Sequence, residues 1–511
     1  MTRSVFLTSC KSRTVPEQQK SGYRLLLFLL GLSIITVTLC SKSSPLYPIN
    51  NWDDANCFMT VGKSVFNGQV LYRDIFEQKG PLLYFIYGTA GLISHNSFFG
   101  AYLIEIIAAF FFLLLCSKTL MLFCSRKILL LLPVLTTAIY AAPAFEQGGS
   151  AEELCLPLVM YSVYAGVKAL VLHLPVKKRE WLFIGITSGA VLWIKFSLLG
   201  FYIGFGLFML TIYLINRWNR DLIGLFFFLM LGLGIISAPV LIYFAVNNAV
   251  SSLFEVYFYC NLFLYPVKTV DNGFLGILLN LKNGFVSYFY NFWISFVFIL
   301  SGLFFSFLRS KRLFILLLSA FITAFLMIYG GGRCYTYYPL ILAVFMPFGL
   351  ITLYHLTEGI ITSLCSSKTR AGISAGLLSM LSCCLILLLS PNTYMMGYQK
   401  HQLPQFAFAD IVRQNPEATL LNYHFLDGGF YLASDTLPVC LFFCELNLPF
   451  AGQQQDRYVQ QELTDYIVTR DDKPIINGYE CIANASFETR KNIHNTYYLY
   501  QKLPKSASAD T

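Results

Sequence analysis

An all-α polytopic membrane protein carrying a small C-terminal α/β domain is the fold class that three features of the sequence predict. Of 511 residues, 56% are hydrophobic and only 12% are charged, against roughly a quarter charged in an ordinary soluble domain. The apolar residues gather in runs, 23–40, 98–123, 222–246, 284–308 and 371–390, each near the roughly 20 helical residues that cross a hydrocarbon core. Beyond residue 391 the composition changes to short strand-like, turn-like and polar helical stretches. A soluble enzyme is excluded as the default.

The first run, 23–40, has no small-residue cleavage site and follows a tail holding Arg3, Lys11, Arg13, Lys20 and Arg24. It reads as an uncleaved first span with a cytoplasmic N-terminus. The formal charge of +9 sits in short clusters between apolar runs, so it speaks for membrane orientation and against nucleic-acid binding. Those clusters are Arg126/Lys127, Lys177/Lys178/Arg179, Arg217/Arg220, Arg309/Lys311/Arg312 and Lys368/Arg370. All five fall on the cytoplasmic side only if segment 81–94, fourteen residues with Gly88, Thr89 and Gly91, lies at the interface or re-enters instead of crossing.

The crossings are then about eleven: 23–40, 98–122, 128–145, 151–172, 181–197, 199–215, 222–246, 284–308, 312–329, 336–357 and 371–391. The 35-residue stretch 181–215 is split near Lys195, because one helix of that length would overshoot the bilayer and upset the charge parity. Regions 41–97, 247–283 and 392–511 face outside. Residues 1–391 form the membrane domain, with juxtamembrane helices in 41–97, and 392–511 an extracytoplasmic α/β domain. That domain shows strand-like stretches at 419–421, 466–468 and 497–500, turns at Asp427-Gly-Gly and Asn477-Gly, and a polar helix within 451–465.

Fourteen cysteines are scattered, many inside apolar runs (Cys40, Cys116, Cys155, Cys383, Cys384), without CxxC or Cys/His metal spacing. Most read as packing residues. No internal repeat or low-complexity segment is present.

In so apolar a chain, the outer loop Asn51-Trp52-Asp53-Asp54, followed by Tyr72-Arg73-Asp74-Ile75-Phe76-Glu77-Gln78-Lys79-Gly80-Pro81, is the first place to look for function. Residues 54–66 form a short amphipathic helix in which Asp54 shares the stripe of Phe58, Val61 and Val65, and an acid on a packed face needs a partner or a job. Asp53 lines up with Cys57, Thr60 and Ser64 and reads equally as an N-cap or a catalytic partner. Lys79 and Arg73 each read alone as interfacial anchors. Lys195 interrupts a long apolar run, and a cation there is a site hypothesis by default. In Gly330-Gly-Gly-Arg333-Cys-Tyr-Thr-Tyr337-Tyr338-Pro339, an aromatic belt with a snorkelling arginine and a sugar-phosphate site stand level. Glu146, Glu152 and Glu153 occupy another outer turn, where Glu152/Glu153 also suit a helix start.

All these clusters fall on the outer side, so acids and cations distant in sequence would border one cavity. A carboxylate base that activates a hydroxyl, beside cations that stabilise a departing lipid phosphate, fits that arrangement.

The order of first span, Asp-Asp loop and Tyr-Arg-Asp-x-Phe-Glu-Gln-Lys-Gly-Pro before a short apolar helix resembles the bacterial branch of the GT-C glycosyltransferases. That superfamily includes the protein O-mannosyltransferases and the lipid A aminoarabinose transferase, which use polyprenyl-phosphate sugars. The resemblance covers the membrane part and implies a catalytic base at Asp53/Asp54. It implies phosphate contacts from Lys79, with Arg73, Lys195 and Arg333 as further cations. Glu77-Gln-Lys79-Gly-Pro81 is similar to the family's Glu-Lys-Pro-Pro, with one residue more and one proline fewer. Arg333 to Tyr338 is similar to an Arg-x-x-His-Tyr segment, with tyrosine in place of histidine. Glu77, Glu152, Tyr337 and Tyr338 follow as substrate-binding candidates.

The resemblance thus implies a bacterial plasma-membrane transferase that moves a sugar, with inversion, from a polyprenyl-phosphate donor to an envelope glycan, glycolipid or protein hydroxyl. No cofactor is required, and a divalent cation on the carboxylates is compatible with the sequence without being demanded by it. The rival from another class is a lipid-linked sugar flippase or transporter, whose usual internal repeats and midplane polar helices are not seen. A non-catalytic scaffold is disfavoured by the Asp54, Lys79 and Arg333 set.

Overall fold

The computed structural model describes residues 22–216, 218, 222–267, 273–448, 450–490 and 492–504. Of the basic residues used above, Arg3, Lys11, Arg13, Lys20, Arg217 and Arg220 lie outside the described residues. The membrane part contains helices α1 (Gly22–Cys40), α2 (Asp53–Phe66), α3 (Pro81–Ile93), α4 (Phe99–Leu120), α5 (Leu132–Tyr140), α6 (Ala151–Leu172), α7 (Lys178–Ile194), α8 (Gly200–Ile215), α9 (Leu222–Val246), α10 (Phe274–Arg309), α11 (Lys311–Tyr329), α12 (Met346–Leu364) and α13 (Lys368–Leu389).

Among the described residues nine helices are long and apolar enough to cross a membrane, against about eleven expected. The expected span 128–145 is a 3-10 turn, Arg126–Leu131, running into the nine-residue α5. Pro133 and Pro143 punctuate this stretch, so a full-length helix does not form. The other shortfall is α7, at 17 residues. Its partner is α9, and the two approach closely because Gly185 and Gly232 sit at the contact. A Cβ on either would lie 2.1 Å from a carbonyl of the facing helix, the small-residue packing that membrane helices favour.

The break near Lys195 is present: α7 ends at Ile194, Lys195 is extended (φ −160°, ψ 99°), and Phe196–Leu199 makes a 3-10 turn into α8. The stretch 81–94 contains α3, 13 residues opened by Pro81, too short to cross. The span expected at 284–308 belongs to a 36-residue helix, α10, that begins ten residues earlier and bends at the non-helical Phe292 (φ −147°, ψ 39°). Asn280, Lys282 and Asn283 interrupt the apolar pattern without interrupting the helix. Region 247–283, expected on the outer side, contains a π-helix, Leu253–Leu264.

The C-terminal region builds a sheet of four strands, β1 (Leu420–Asn422), β2 (Tyr466–Arg470), β3 (Tyr479–Arg490) and β4 (Ile493–Lys502), in the order β1-β2-β4-β3. β1 and β2 are parallel; the other neighbours are antiparallel. β3 has no counterpart in the sequence reading. It is an edge strand whose Ala483, Ala485 and Ser486 carry little of the bulky alternation that marks a buried strand.

This region does not float free. Phe425, Phe430, Tyr431 and Tyr497 share one continuous apolar cluster with membrane-part residues Trp52, Phe58 and Val61. Polar ties run alongside. Thr60 Oγ1 donates to Asp427 Oδ2 (2.6 Å), Lys63 Nζ meets Asp435 Oδ1 (2.7 Å), and the Phe76 amide donates to the Leu441 carbonyl (2.9 Å). α2 is therefore clamped between α3 below and the C-terminal region above.

The charge pattern expects loop 41–97 and the C-terminal region on the outer side. Asn67, Asn477 and Ser366 are all exposed. Introduced into a cysteine-free background, Asn67→Cys and Asn477→Cys should react with an impermeant maleimide in intact cells. Ser366→Cys, between α12 and α13, should react only after lysis. Protection of either outer position contradicts the topology.

Candidate active site

α2 presents its two acids because the preceding loop is tightly tied. The Asn50 side chain accepts from the Trp52 amide (3.1 Å), and the Asn56 side-chain amide donates to the carbonyls of Asn50 and Trp52 (2.9 Å each). Trp52 is the N-cap and makes no side-chain cap bond, so Asp53 and Asp54 are the first two helical residues. Both carboxylates lie where the helix dipole favours negative charge. Asp53 is thus not the cap that its position suggested. Its Oδ2 is 3.1 Å from Arg470 Nη1 at the end of β2. Burial raises the Asp53 carboxyl above its usual range, with the Arg470 charge opposing.

Asp54 points into the membrane part. Its Oδ2 accepts the Tyr337 hydroxyl (2.6 Å) and lies 3.9 Å from Lys79 Nζ. That ammonium is also 3.9 Å from Glu77 Oε1 and 5.7 Å from the centre of the Phe58 ring. Burial alone would push the Lys79 ammonium down, but the neighbouring Asp54 and Glu77 outweigh it and hold its pKa above the ordinary lysine range. Burial likewise raises the Glu77 carboxyl, partly offset by the Lys79 charge and backbone amide.

A glycine makes this arrangement reachable. Gly80 packs its backbone on the end of α7, donating to the Ile194 carbonyl (3.1 Å), and a Cβ there would lie 2.0 Å from the Trp193 carbonyl. Lys79 is thereby laid beside Lys195. Lys195 Nζ donates to Glu152 Oε1 (2.5 Å) and stands 3.9 Å above the Tyr338 ring and 5.3 Å from that of Tyr337. Glu152 is fully buried, and its Oε2 has no partner among the described residues. Glu153 instead serves the helix start: its amide donates to Ser150 and its carboxylate accepts from Gly149. Glu146 pairs with Arg490 of β3 (2.7 Å).

Arg333 sits at the edge of this group. Its Nε donates to the Tyr265 carbonyl (3.1 Å) and its guanidinium covers the Tyr265 ring at 4.6 Å. Tyr265 in turn lies within the electrostatic reach of Lys79. Arg73 is not brought to the group: it is half-exposed, pairs with Asp74 (2.8 Å) and donates to the Asn247 carbonyl (3.0 Å), so its anchor reading fits its surroundings.

The structure therefore gathers Asp54, Glu77, Lys79, Glu152, Lys195, Tyr337 and Tyr338, with Arg333 at the rim, and turns Asp53 towards the C-terminal region. Sequence reasoning missed Arg470, Asp427 and Tyr265. Arg470 and Tyr265 have no local motif, Asp427 shows only as a turn residue, and only tertiary folding brings the three to the site. Among the described residues no three His, Cys, Asp or Glu side chains converge as metal ligands. Asp54 and Glu77 flank the Lys79 ammonium instead.

No protein-family profile and no curated protein matches the sequence. Two solved structures of ArnT from Cupriavidus metallidurans do match in fold, each at 12% identity over 94% of this chain and 98% of theirs. The one bound to undecaprenyl phosphate gives a TM-score of 0.59 and the apo form 0.55. An Archaeoglobus fulgidus oligosaccharyltransferase, in complex with Zn and sulfate, gives 0.49 at 13% identity over 86% of this chain and 67% of its own. The ArnT likeness establishes the fold: the chain shares the architecture of those two structures along nearly its whole length.

The contact between α2 and the C-terminal region carries a pH signature. Asp427 is fully buried beneath donors from Thr60, Asn422 and Gly429, and burial raises its carboxyl from 3.8 to about 6, with Asp53 adding to the rise. Between those values the folded protein holds a proton that the unfolded chain has lost. Asp427 therefore costs nothing below about pH 4, and stability falls as pH rises towards 6, by on the order of 3 kcal/mol in all. Thermal midpoints from pH 4 to 7 should decline more steeply in the wild type than in Asp427→Asn. Parallel profiles would contradict the assignment.

Proposed function

We propose that the chain is an integral-membrane glycosyltransferase that moves a sugar from a polyprenyl-monophosphate donor to a hydroxyl acceptor at the outer face of a bacterial plasma membrane. The observation that carries the reading is the meeting of Asp54, Lys79 and Tyr337 on three separate segments, with Lys195 stacked on the neighbouring Tyr338. It is supported by the fold shared with ArnT, one of whose structures is bound to undecaprenyl phosphate.

In this reading Asp54 is the general base. Tyr337 holds one of its oxygens and leaves the other to take the acceptor proton. The freed oxygen attacks the anomeric carbon from the side opposite the phosphate, which inverts the configuration. Lys79 and Lys195 meet the phosphate oxygens as charge builds on the leaving group, and Arg333 supports them from the rim. The Lys79–Asp54 pairing suits an enzyme awaiting donor. An arriving phosphate draws the ammonium away from Asp54, which releases the carboxylate as a base only when donor is present. Asp53 acts through position, tied to Arg470. The acceptor class, an envelope glycan, a glycolipid or a protein, is left to the surface above Asp54.

Asp54→Asn should lower turnover by about two orders of magnitude or more, the usual scale for a positioned base, with donor binding nearly kept. Asp53→Asn and Tyr337→Phe should cost less. A larger loss at Asp53 would reverse the roles.

Lys79→Ala should lower kcat as well as weaken donor binding, and Lys79→Arg should retain part of the activity, because the charge is needed more in the transition state than in the bound donor. An anchor predicts almost no change in either constant. In proteoliposomes with a labelled polyprenyl-phosphate sugar, acceptor-dependent release of polyprenyl phosphate, lost in Asp54→Asn, supports transfer. Intact donor arriving in the opposite leaflet without release overturns it in favour of a flippase.

A further inference from the structure

The contact between α2 and the C-terminal region contains a second chemical feature that the transfer reaction does not use. Cys57 and Cys444, 387 positions apart, bring their sulfurs to 3.7 Å. Both side chains are buried, at 2% and 0% exposure, and both stand on fixed backbone. Cys57 follows Asp53 by four positions, one turn along α2 and on the same face. Cys444 lies between Phe443, whose carbonyl accepts the Tyr431 hydroxyl (2.9 Å), and Glu445, whose amide donates to the Phe425 carbonyl (2.9 Å). At an S–S bond length of about 2.05 Å, less than about 2 Å of approach is left to close. Cys440 and Cys481 face the separate small core under the sheet.

We propose that Cys57 and Cys444 are joined by a disulfide in the mature protein, a covalent clamp between the catalytic helix and the C-terminal region. The proposal rests on the outward orientation of both segments, which places the pair in a compartment where disulfides persist. Formation removes one proton and one electron from each thiol and makes one S–S bond. The two electrons and two protons pass to the disulfide of a thiol–disulfide oxidoreductase, which leaves as its dithiol.

The step belongs to folding. Exchange needs an accessible thiolate, and in the finished structure burial raises both thiols above their usual range and closes them off. Cys57 reaches the outer face early in synthesis and Cys444 late, so the oxidant meets the pair before the C-terminal region has fully docked. Once made, the bond is shielded from reductants by the same burial, and it holds α2 and its two acids against the structure above them.

Full-length protein, alkylated during extraction, is digested without reduction and examined by mass spectrometry. A peptide pair joined through Cys57 and Cys444 is expected. In denaturant, the non-reduced protein should take up two maleimides fewer than the fourteen that its cysteines allow after reduction. Cys57→Ser and Cys444→Ser should each abolish the linked peptide and let protease release residues 392–511 several-fold faster. The double substitution should add nothing to either, as expected for one shared bond. Uptake of all fourteen before reduction, or linkage through Cys440 or Cys481 instead, overturns the clamp. Cys334 is exposed at the outer start of a span and separates the two ideas. If it reacts with an impermeant maleimide in intact cells while the clamp is absent, the disulfide fails and the orientation stands. If it is protected, the orientation fails as well.

Discussion

A buried ammonium between two carboxylates organises this molecule. Lys79 lies within 3.9 Å of both Asp54 and Glu77; Glu77 is buried, and Lys79 and Asp54 are largely but not wholly covered. Unpaired charges of that kind would be costly at the edge of a membrane, so each segment that carries one is held to the others. The loop before α3 must lie flat on α7, which Gly80 permits. α2 must begin at Asp53, which the Asn50 and Asn56 bonds enforce. The turn after α11 must bring Tyr337 to Asp54. Removing Lys79 would leave the buried Glu77 beside Asp54 with no cation between them, a larger penalty than losing a surface ion pair.

The C-terminal region completes the same network from above. Arg470 answers Asp53 and Arg490 answers Glu146, so two acid-bearing turns of the membrane part are each met by an arginine of one sheet. Glu146 adopts φ 57°, ψ −121°, a conformation that costs a non-glycine residue free energy and persists only where its surroundings over-determine it. Here Asn392 donates to its carbonyl (2.7 Å) and Arg490 holds its carboxylate. The docking surface and the acid-bearing turn thus stabilise one another. A continuous apolar cluster beneath them makes the two parts a single packed body.

Much of the architecture was legible in the chain because membrane insertion is governed by local, additive quantities. Run length and hydropathy located α1, α4, α6, α9, α11 and α13, and loop charge placed the break at Lys195. Where helices are short or polar the same reading loses its grip. Prolines 133 and 143 hide in an apolar run that never becomes one helix, and Asn280 to Asn283 hide the first turns of α10. The acids and cations of loop 41–97 were conspicuous because charge is rare in such a chain. Lys195 and the Arg333–Tyr338 segment were conspicuous for the same reason.

That this is a polytopic membrane protein, where its chain breaks, and which charged residues are candidates for chemistry all follow from composition within a window of about 20 residues. Which candidates meet depends on long-range packing, visible in the folded chain alone. It separated Asp54, which faces Lys79, from Asp53, which faces Arg470, although they are adjacent and chemically identical. It sent Arg73 to Asp74 while keeping Lys79 inside, and it brought Arg470 and Cys444 to partners 417 and 387 residues away. Successive helical residues point about 100° apart, so one step along α2 is enough to turn a carboxylate from the membrane interior to the domain above. No local pattern carries that long-range pairing.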